Sequence, residues 1–370
     1  MNCLKNNAAE RCAPDVLTFN SGNKVKDEKD FELRREEIKA LLKDYEYGCI
    51  PEKPEHMDVD EVGFDGMFCA GKAPLRRLKF TFTIGEDKFS FPVTAVIPKK
   101  EGKHPAFVHI SLSPDVPDKY MPAEEIADRG YAVFSFCYED VTKDNKNFKS
   151  GAAKYLTKSR KRQNASGKIA IWAWAAMRVA DYIQALDNID KENLAVIGHS
   201  RLGKSALLAG AFDDRFKYVI SNNSGCSGAA MLRGKTGENL STLLESHSEW
   251  FCPRYSDYVI FENNLPLDQH FLLAASAPRH ILIGSAYEDV WSDPESEFIS
   301  AYLASEVYEK IYGISGLIHE NKFPEPNTVL DKGSICYHIR EGVSYLSRED
   351  WNTYMNYIDK RMEKFKTKKG

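Results

Sequence analysis

The run Leu194-Ala195-Val196-Ile197-Gly198-His199-Ser200-Arg201-Leu202-Gly203-Lys204-Ser205-Ala206-Leu207-Leu208 decides how the chain is read. Leu194 to Ile197 is short, apolar and partly β-branched, which suits a strand buried on both faces. Gly198 breaks it, a brief polar turn follows, and an Ala/Leu-rich helix begins. A serine at the top of such a strand-to-helix turn has its hydroxyl held clear of the backbone. The positive end of the helix lies beneath it, and the backbone N–H of Arg201 is placed to stabilise an oxyanion. Ser200 is therefore the candidate nucleophile and Arg201 the candidate oxyanion residue. The spacing departs from Gly-x-Ser-x-Gly, because Leu202 stands at the second glycine position and the glycine follows at Gly203. From these residues alone, a phosphate-binding turn or a plain tight turn is the alternative.

The 370 residues are enough for two domains or one large α/β unit, and 43% hydrophobic content supports a sizeable core. A net charge of −4 argues against a nucleic-acid-binding surface. The basic runs Lys158 to Arg162 and Lys364 to Lys369 read as solvated faces or a tail. No segment reaches the ~18 continuous apolar residues of a membrane span, and Met1 to Asn20 lacks the apolar core of a secretion signal. The expectation is a cytoplasmic protein, with a trimmed signal as the alternative. Eight cysteines lie at 3, 12, 49, 69, 137, 226, 252 and 336 without metal-like spacing, which suits reduced thiols. Cys226 and Cys252 are the one pair that export would bridge.

Along the chain, residues 1 to 30 read as a loosely ordered lead, and Asp30 to Tyr47 as a charged helix stopped by Gly48 and Pro51. From Leu75 to Pro98 apolar residues alternate with polar ones across a Gly85-Glu86-Asp87 turn, the pattern of an antiparallel hairpin. Strands are then expected at 105–112, 132–137, 194–197, 218–222, 281–285 and 334–340. Helices are expected at 123–129, 169–186, after Ser200, at 295–312 and at 348–365. The implied architecture is an α/β fold with a mostly parallel central sheet, an antiparallel N-terminal edge and helices on both faces. Residues 1–60 form a lead and helix packed on a single domain spanning 61–370. This order matches the α/β-hydrolase plan, in which serine, acid and histidine follow successive strands. The loop Ser111 to Asp115 would supply the second oxyanion donor.

Several further stretches make the likeness more specific. They are Asp190-Lys191-Glu192-Asn193-Leu194 leading into the elbow, Gly210-Ala211-Phe212-Asp213, and Ser221-Asn222-Asn223-Ser224-Gly225-Cys226-Ser227-Gly228. Beyond these come Trp250-Phe251-Cys252, Leu265-Pro266-Leu267-Asp268-Gln269-His270 and Ala277-Pro278-Arg279. Glu288-Asp289-Val290-Trp291-Ser292-Asp293-Pro294, Tyr337-His338-Ile339-Arg340 and Glu349-Asp350-Trp351 complete the set. Over roughly residues 75 to 360 the chain resembles the glucuronoyl esterase family (carbohydrate esterase family 15), in its bacterial, acetyl xylan esterase-like branch.

That resemblance implies hydrolysis of an ester between 4-O-methyl-glucuronate and an alcohol, with Ser200 as nucleophile and Arg201 beside it at the oxyanion. Lys204, one helical turn on, would hydrogen-bond sugar hydroxyls, and Gln269 is a further candidate substrate contact. The aromatic residues flanking the mouth, Trp250, Trp291 and Tyr337, read either as stacking platforms for a sugar ring or as core residues. The fungal branch has a glutamate where this chain has Asn223, so the acid is expected after the next strand, at Asp289, with Glu288 and Asp293 as rivals. The family's loop histidine falls on Ser344, and a serine hydroxyl is no general base at neutral pH. His338, six residues earlier, is the candidate replacement, while His199 and His270 read as structural.

Two function classes follow. One is a serine esterase acting on a glucuronoyl or acetyl ester of hemicellulose-derived saccharides. The other is a catalytically weak relative that binds a saccharide. A peptidase or dienelactone-type hydrolase is a third reading, since fold alone does not fix chemistry. No metal or organic cofactor is expected, and the partner is a small-molecule or oligosaccharide ester rather than nucleic acid or membrane.

Overall fold

The computed structural model describes residues 4–157 and 159–368; Cys3, Lys158 and the side chains of the Lys364 to Lys369 run lie outside the described residues. Ten strands form one mixed sheet. They are β1 His56–Asp65, β2 Leu75–Ile84, β3 Asp87–Val96, β4 His104–Ser111, β5 Ala132–Cys137, β6 Ile189–His199, β7 Tyr218–Asn222, β8 His280–Ala286, β9 Thr328–Leu330 and β10 Ile335–Arg340. Their spatial order is β1-β2-β3-β5-β4-β6-β7-β8-β10-β9. The strands from β5 to β10 across the centre are parallel, whereas β1, β2 and β3 form an antiparallel edge and β9 pairs antiparallel on the other side.

Side chains alternate across a strand, and here the alternation divides two cores. Leu194, Val196, Val219, Ile281, Ile283, Ile335 and Tyr337 pack on one face with the helices Lys168–Ile183, Arg201–Phe212, Gln269–Ala274 and Pro294–Lys310. Ala195, Ile197, Tyr218, Ile220, Leu282 and Cys336 pack on the other, with the helices Ala123–Asp128 and Arg348–Lys368. Because both faces are covered, the central strands read as continuous apolar runs rather than as polar–apolar alternation.

The N-terminal lead is not loose. A helix spans Leu4–Glu10 with Leu4 and Ala8 buried, Val16 and Leu17 are buried, and Arg11 donates to Ser296 Oγ at 2.6 Å. β1 begins at His56, so the expected boundary at residue 60 falls inside a strand of the main sheet. The expected Asp30 to Tyr47 helix is an α-helix over Glu28–Leu41 followed by a π-helical turn over Leu42–Glu46. The seven described cysteines are all free thiols, Cys226 and Cys252 included. No described helix is long and apolar enough to cross a membrane.

One glycine is required by close approach. A Cβ at Gly284 of β8 would come within 2.2 Å of the Tyr354 hydroxyl, 2.6 Å of His338 Cε1 and 3.0 Å of Asn222 Nδ2. Those three polar side chains meet on the face covered by the C-terminal helix, and a methyl group would push them apart. Gly284→Ala is expected to destabilise the fold by about 1–3 kcal/mol, the usual cost of overpacking. A denaturation midpoint equal to that of the unsubstituted protein would contradict this packing.

Candidate active site

The carboxyl end of β6 delivers Ser200 into a turn with φ 56° and ψ −126°. A non-glycine residue rarely adopts this conformation, and it is the strained geometry that lifts a nucleophile clear of its strand. Three backbone bonds fix it: Ser200 N–H donates to the Asn222 carbonyl at 2.8 Å, and the Ser200 carbonyl accepts from Gly203 and Lys204 at 2.9 and 3.3 Å. Close packing explains the glycine spacing. A Cβ at Gly198 would lie 2.1 Å from the Leu202 carbonyl oxygen, and one at Gly203 would lie 3.0 Å from both Ser221 Oγ and Ser224 Cβ. Leu202 is fully buried, so the tight contact falls one residue later than in the usual motif. Ser200 itself is half-buried, and no described side chain hydrogen-bonds to its hydroxyl.

Arg201 opens the helix, so its N–H is among those without an intrahelical partner. Its guanidinium pairs with Asp144 and lies 4.8 Å from the centroid of the Trp250 ring. Asp144 also accepts from Trp250 Nε1 at 2.6 Å, and the His247 imidazole stacks on Trp250 at 3.9 Å. Trp250 is therefore a buried wall already covered by two side chains, not an open platform for a sugar ring. Asp144, His247 and Glu249 bring their ligand-type atoms within 4.8 Å of one another. Arg201 and the nearby Lys168 ammonium oppose the two carboxylates, which makes this an ion-paired network. Burial pushes the Lys168 amine down to about 8.

The loop after β8 separates the three acidic candidates. Glu288 is exposed, and Asp293 caps the helix Pro294–Lys310 through Ser296 N–H at 3.1 Å. Asp289 is buried and accepts from Asn223 Nδ2 at 3.1 Å and from Ser292 Oγ at 2.7 Å. Asn223 thus occupies the end of β7, between the elbow and Asp289. Trp291 in the same loop is 53% exposed, with Tyr287 and Val290 also exposed beside it. Tyr337, by contrast, is fully buried and donates to the Pro294 carbonyl at 2.9 Å.

His338 is not brought to Ser200, and the reason is strand geometry. It lies level with His199 in register, but β7 and β8 intervene. Three strand spacings separate the two backbones by about 14 Å. Alternation turns His338 to the same face as Cys336, where Nε2 meets Asp350 at 2.6 Å. The Arg340 guanidinium also bonds Asp350, at 3.1 Å, and donates to the carbonyls of Glu341, Val343 and Tyr345. Through Asp350, His338 braces the loop that carries Ser344. That loop lies beside the acid loop, since Glu288 N–H donates to the Gly342 carbonyl at 3.0 Å, and Ser344 is exposed on it.

Gln269 is also misplaced for substrate contact. It is fully buried and donates to Glu46 Oε1 at 3.0 Å, in a network with Tyr47 and Tyr255. Burial raises the Glu46 carboxyl to about 8. Lys204 is buried as well, with Nζ donating to the Ser224 carbonyl. Of the other histidines, His199 bonds Asn222 Oδ1 at 2.6 Å and stacks on Tyr120, and His270 meets the Pro14 carbonyl at 2.9 Å. Both are structural. His109 lies inside β4, and burial pushes its imidazole down to about 3.

Two residues at the site escaped the sequence reading. Asp144 follows β5 in a polar loop with no motif around it. Glu297 lies in the first turn of the helix Pro294–Lys310. It is fully buried, accepts from Gly225 N–H at 2.9 Å and Ser285 Oγ at 2.6 Å, and so anchors the loop after β7.

A strained serine at this strand-to-helix turn, on a mixed sheet with helices on both sides, defines an α/β-hydrolase. Residues 81–312 match the family model described as glucuronyl esterase, fungi. Carbohydrate esterase MZ0003, from an unknown prokaryotic organism, is 33% identical over 94% of this chain and 89% of its own length. A 4-O-methyl-glucuronoyl methylesterase of Neurospora crassa is 30% identical over 83% of this chain and 75% of its own. Among solved structures, a glucuronoyl esterase from Solibacter usitatus superposes with a TM-score of 0.87 at 30% identity, covering 94% of this chain and 97% of that one. A promiscuous CE15 esterase from a marine bacterial metagenome gives 0.84 at 32% identity, covering 94% and 96%. The chain belongs to the glucuronoyl esterase family, carbohydrate esterase family 15, a family of carboxylic ester hydrolases.

Burial raises the Glu297 carboxyl from the ordinary 4.5 to about 7. Between those values the unfolded chain releases a proton that the folded chain keeps, so this group favours folding less as pH rises. Glu297→Gln should remove a decline of up to roughly 3 kcal/mol across that window. Unfolding midpoints measured from pH 4 to 8 that fall equally steeply in both proteins would contradict this.

Proposed function

We propose that the protein is a serine carbohydrate esterase that cleaves a glucuronoyl ester, with 4-O-methyl-glucuronate as the acid part, on hemicellulose-derived saccharides. An acetyl ester of the same saccharides is the second substrate of this reading. The observation that carries it is the half-buried Ser200 hydroxyl, held in a strained elbow at the head of a helix. Arg201 N–H is the oxyanion donor in this scheme. The second comes from the loop after β4, which leaves the sheet beside the elbow because Ile110 pairs in register with Gly198. Asp289 is the acid, and the exposed Trp291 offers an open face for a sugar ring. The fungal relatives are named methylesterases of 4-O-methyl-glucuronate. The prokaryotic relative and the quoted motifs favour the bacterial, acetyl xylan esterase-like branch.

A second reading is a weakly catalytic saccharide binder, and it rests on the resemblance, which puts the family's loop histidine at the position of Ser344, together with the lack of a described side chain bonded to the Ser200 hydroxyl. Losing a general base costs orders of magnitude, but oxyanion stabilisation and binding survive it.

Turnover of methyl 4-O-methyl-glucuronate and of p-nitrophenyl acetate, followed in the protein and in Ser200→Ala, tests the esterase reading. Activity that disappears in the variant is expected, whereas equal rates would leave the binding reading. Ser344→His should raise the rate about tenfold or more, because it restores an imidazole beside Asp289. An unchanged rate would mean that the loop does not present residue 344 to the nucleophile.

A further inference from the structure

β2 and β3 meet at a turn through Gly85, and the hairpin outruns the strand beside it. β3 pairs with β5 only from Thr94 opposite Ser135 to Val96 opposite Val133, so Asp87 to Phe91 extend past the carboxyl end of β5. That is the end from which the elbow emerges, since Cys137 is level with Ser111 and Ile110 with Gly198. Three strand spacings, about 14 Å, separate β3 from β6 along it. Beside the hairpin tip lies a cleft of about 610 Å³, a size suited to a small-molecule ligand.

The cleft is walled by the hairpin tip, by Cys49 to Glu55, and by the connector that carries Thr157, Ser159, Arg162 and Asn164. Hydrogen bonds hold these walls in place. Asn164 Nδ2 donates to Asp44 Oδ1 at 2.8 Å, Ser166 Oγ to the Cys49 carbonyl at 2.6 Å, and Cys49 N–H to the Asn164 carbonyl at 2.9 Å. Trp174 Nε1 donates to the Glu52 carbonyl at 2.9 Å, and Tyr155 stacks on Phe89 of the hairpin at 5.3 Å. The same connector reaches the elbow: Asp144 near its start pairs with Arg201, and Arg160 donates to the Phe251 carbonyl at 3.0 Å, beside Trp250.

We propose that this cleft is a second binding site, separate from the elbow, for a neutral oligosaccharide. It goes beyond the esterase reading above and stands without it.

One polar atom in the lining lacks a partner. Thr157 is 9% exposed, and its Oγ1 makes no hydrogen bond among the described residues. A buried hydroxyl left open costs stability, and after a turn about χ1 a ligand hydroxyl supplies the missing bond. Around it the charges balance. The Arg162 guanidinium and the Glu52 and Glu55 carboxylates are exposed and make no ion pair or side-chain hydrogen bond among the described residues, while the Lys53 ammonium is taken by Asp181 at 3.3 Å. With two open carboxylates against one guanidinium, a phosphate or a uronate meets repulsion. Sugar hydroxyls both donate and accept, so they use both signs of charge. Ile50, Pro51, Pro54 and Ile84 supply apolar surface for the C–H faces of sugar rings.

The test reads the exposed thiol of Cys49 on the cleft wall, with Cys12 as an exposed thiol elsewhere. Iodoacetamide labelling of the full chain is followed peptide by peptide with and without xylohexaose. At about ten times its Kd, xylohexaose should slow labelling of Cys49 about tenfold and leave Cys12 unchanged. Thr157→Val replaces an unpartnered buried hydroxyl with a methyl, so the unfolding midpoint should hold or rise while the Kd read from protection rises about 2–10-fold. Arg162→Ala, at an exposed position, should raise that Kd about tenfold or more, because hydrogen bonds from a charged donor are stronger. Labelling of Cys49 that xylohexaose leaves unchanged at its solubility limit would overturn the site, as would protection that both variants retain in full. Stronger protection by trigalacturonate would overturn the neutral class. Displacement of xylohexaose by methyl 4-O-methyl-glucuronate would put the sugar at the elbow and overturn the second site. Protection of Cys49 without turnover of any ester would uphold the cleft and overturn the esterase reading alone.

Discussion

The site depends on one close approach of backbone to backbone. Gly198 sits almost against the carbonyl of Leu202, and this contact folds the chain back from strand to helix within a few residues. With no side chain allowed there, Ser200 is forced into a left-handed conformation and tethered to the Asn222 carbonyl of the neighbouring strand. Everything chemical follows from that constraint. The helix dipole points at the serine, and Arg201 N–H stays free of the helix ladder. The strain is held by the packing of Leu202 beneath and of Gly203 against Ser221 and Ser224, so the elbow is as firm as the core under it.

A second constraint lies on the opposite face of the sheet. His199, Asn222, Tyr354, His338 and Asp350 form a buried polar row that runs across four strands at one level. Gly284 makes room for it. Buried polar groups of this kind specify one arrangement when their partners are in place. Here the row locks β6, β7, β8 and β10 in register just below their carboxyl ends, where the elbow, Asn223, the Asp289 loop and the Ser344 loop emerge. His338 belongs to this buried row.

The central sheet, its hairpin edge and the covering helices were legible because hydrophobic periodicity and Gly/Pro punctuation are local signals. The elbow was legible for the same reason, as was the loop after β8 that holds Asp289. What escaped was set by contacts distant in sequence. Arg11 reaching Ser296 orders the N-terminal segment, and β1 has an outward face too polar to announce a strand. Gln269 lies on a short helix buried all round, where no amphipathic pattern marks an inner side. His338 was misjudged although its direction was readable: alternation with Tyr337 puts the two on opposite faces, and only one of those faces carries the elbow helix.

The bracing of the Ser344 loop decides how that loop responds to substitution. Arg340 grips carbonyl oxygens at 341, 343 and 345, which every amino acid provides, and takes nothing from the side chain at 344. The shape of the loop is therefore indifferent to the identity of that residue. A replacement at 344 therefore leaves these three hydrogen bonds in place, and the loop keeps its anchorage whatever side chain it displays to solvent.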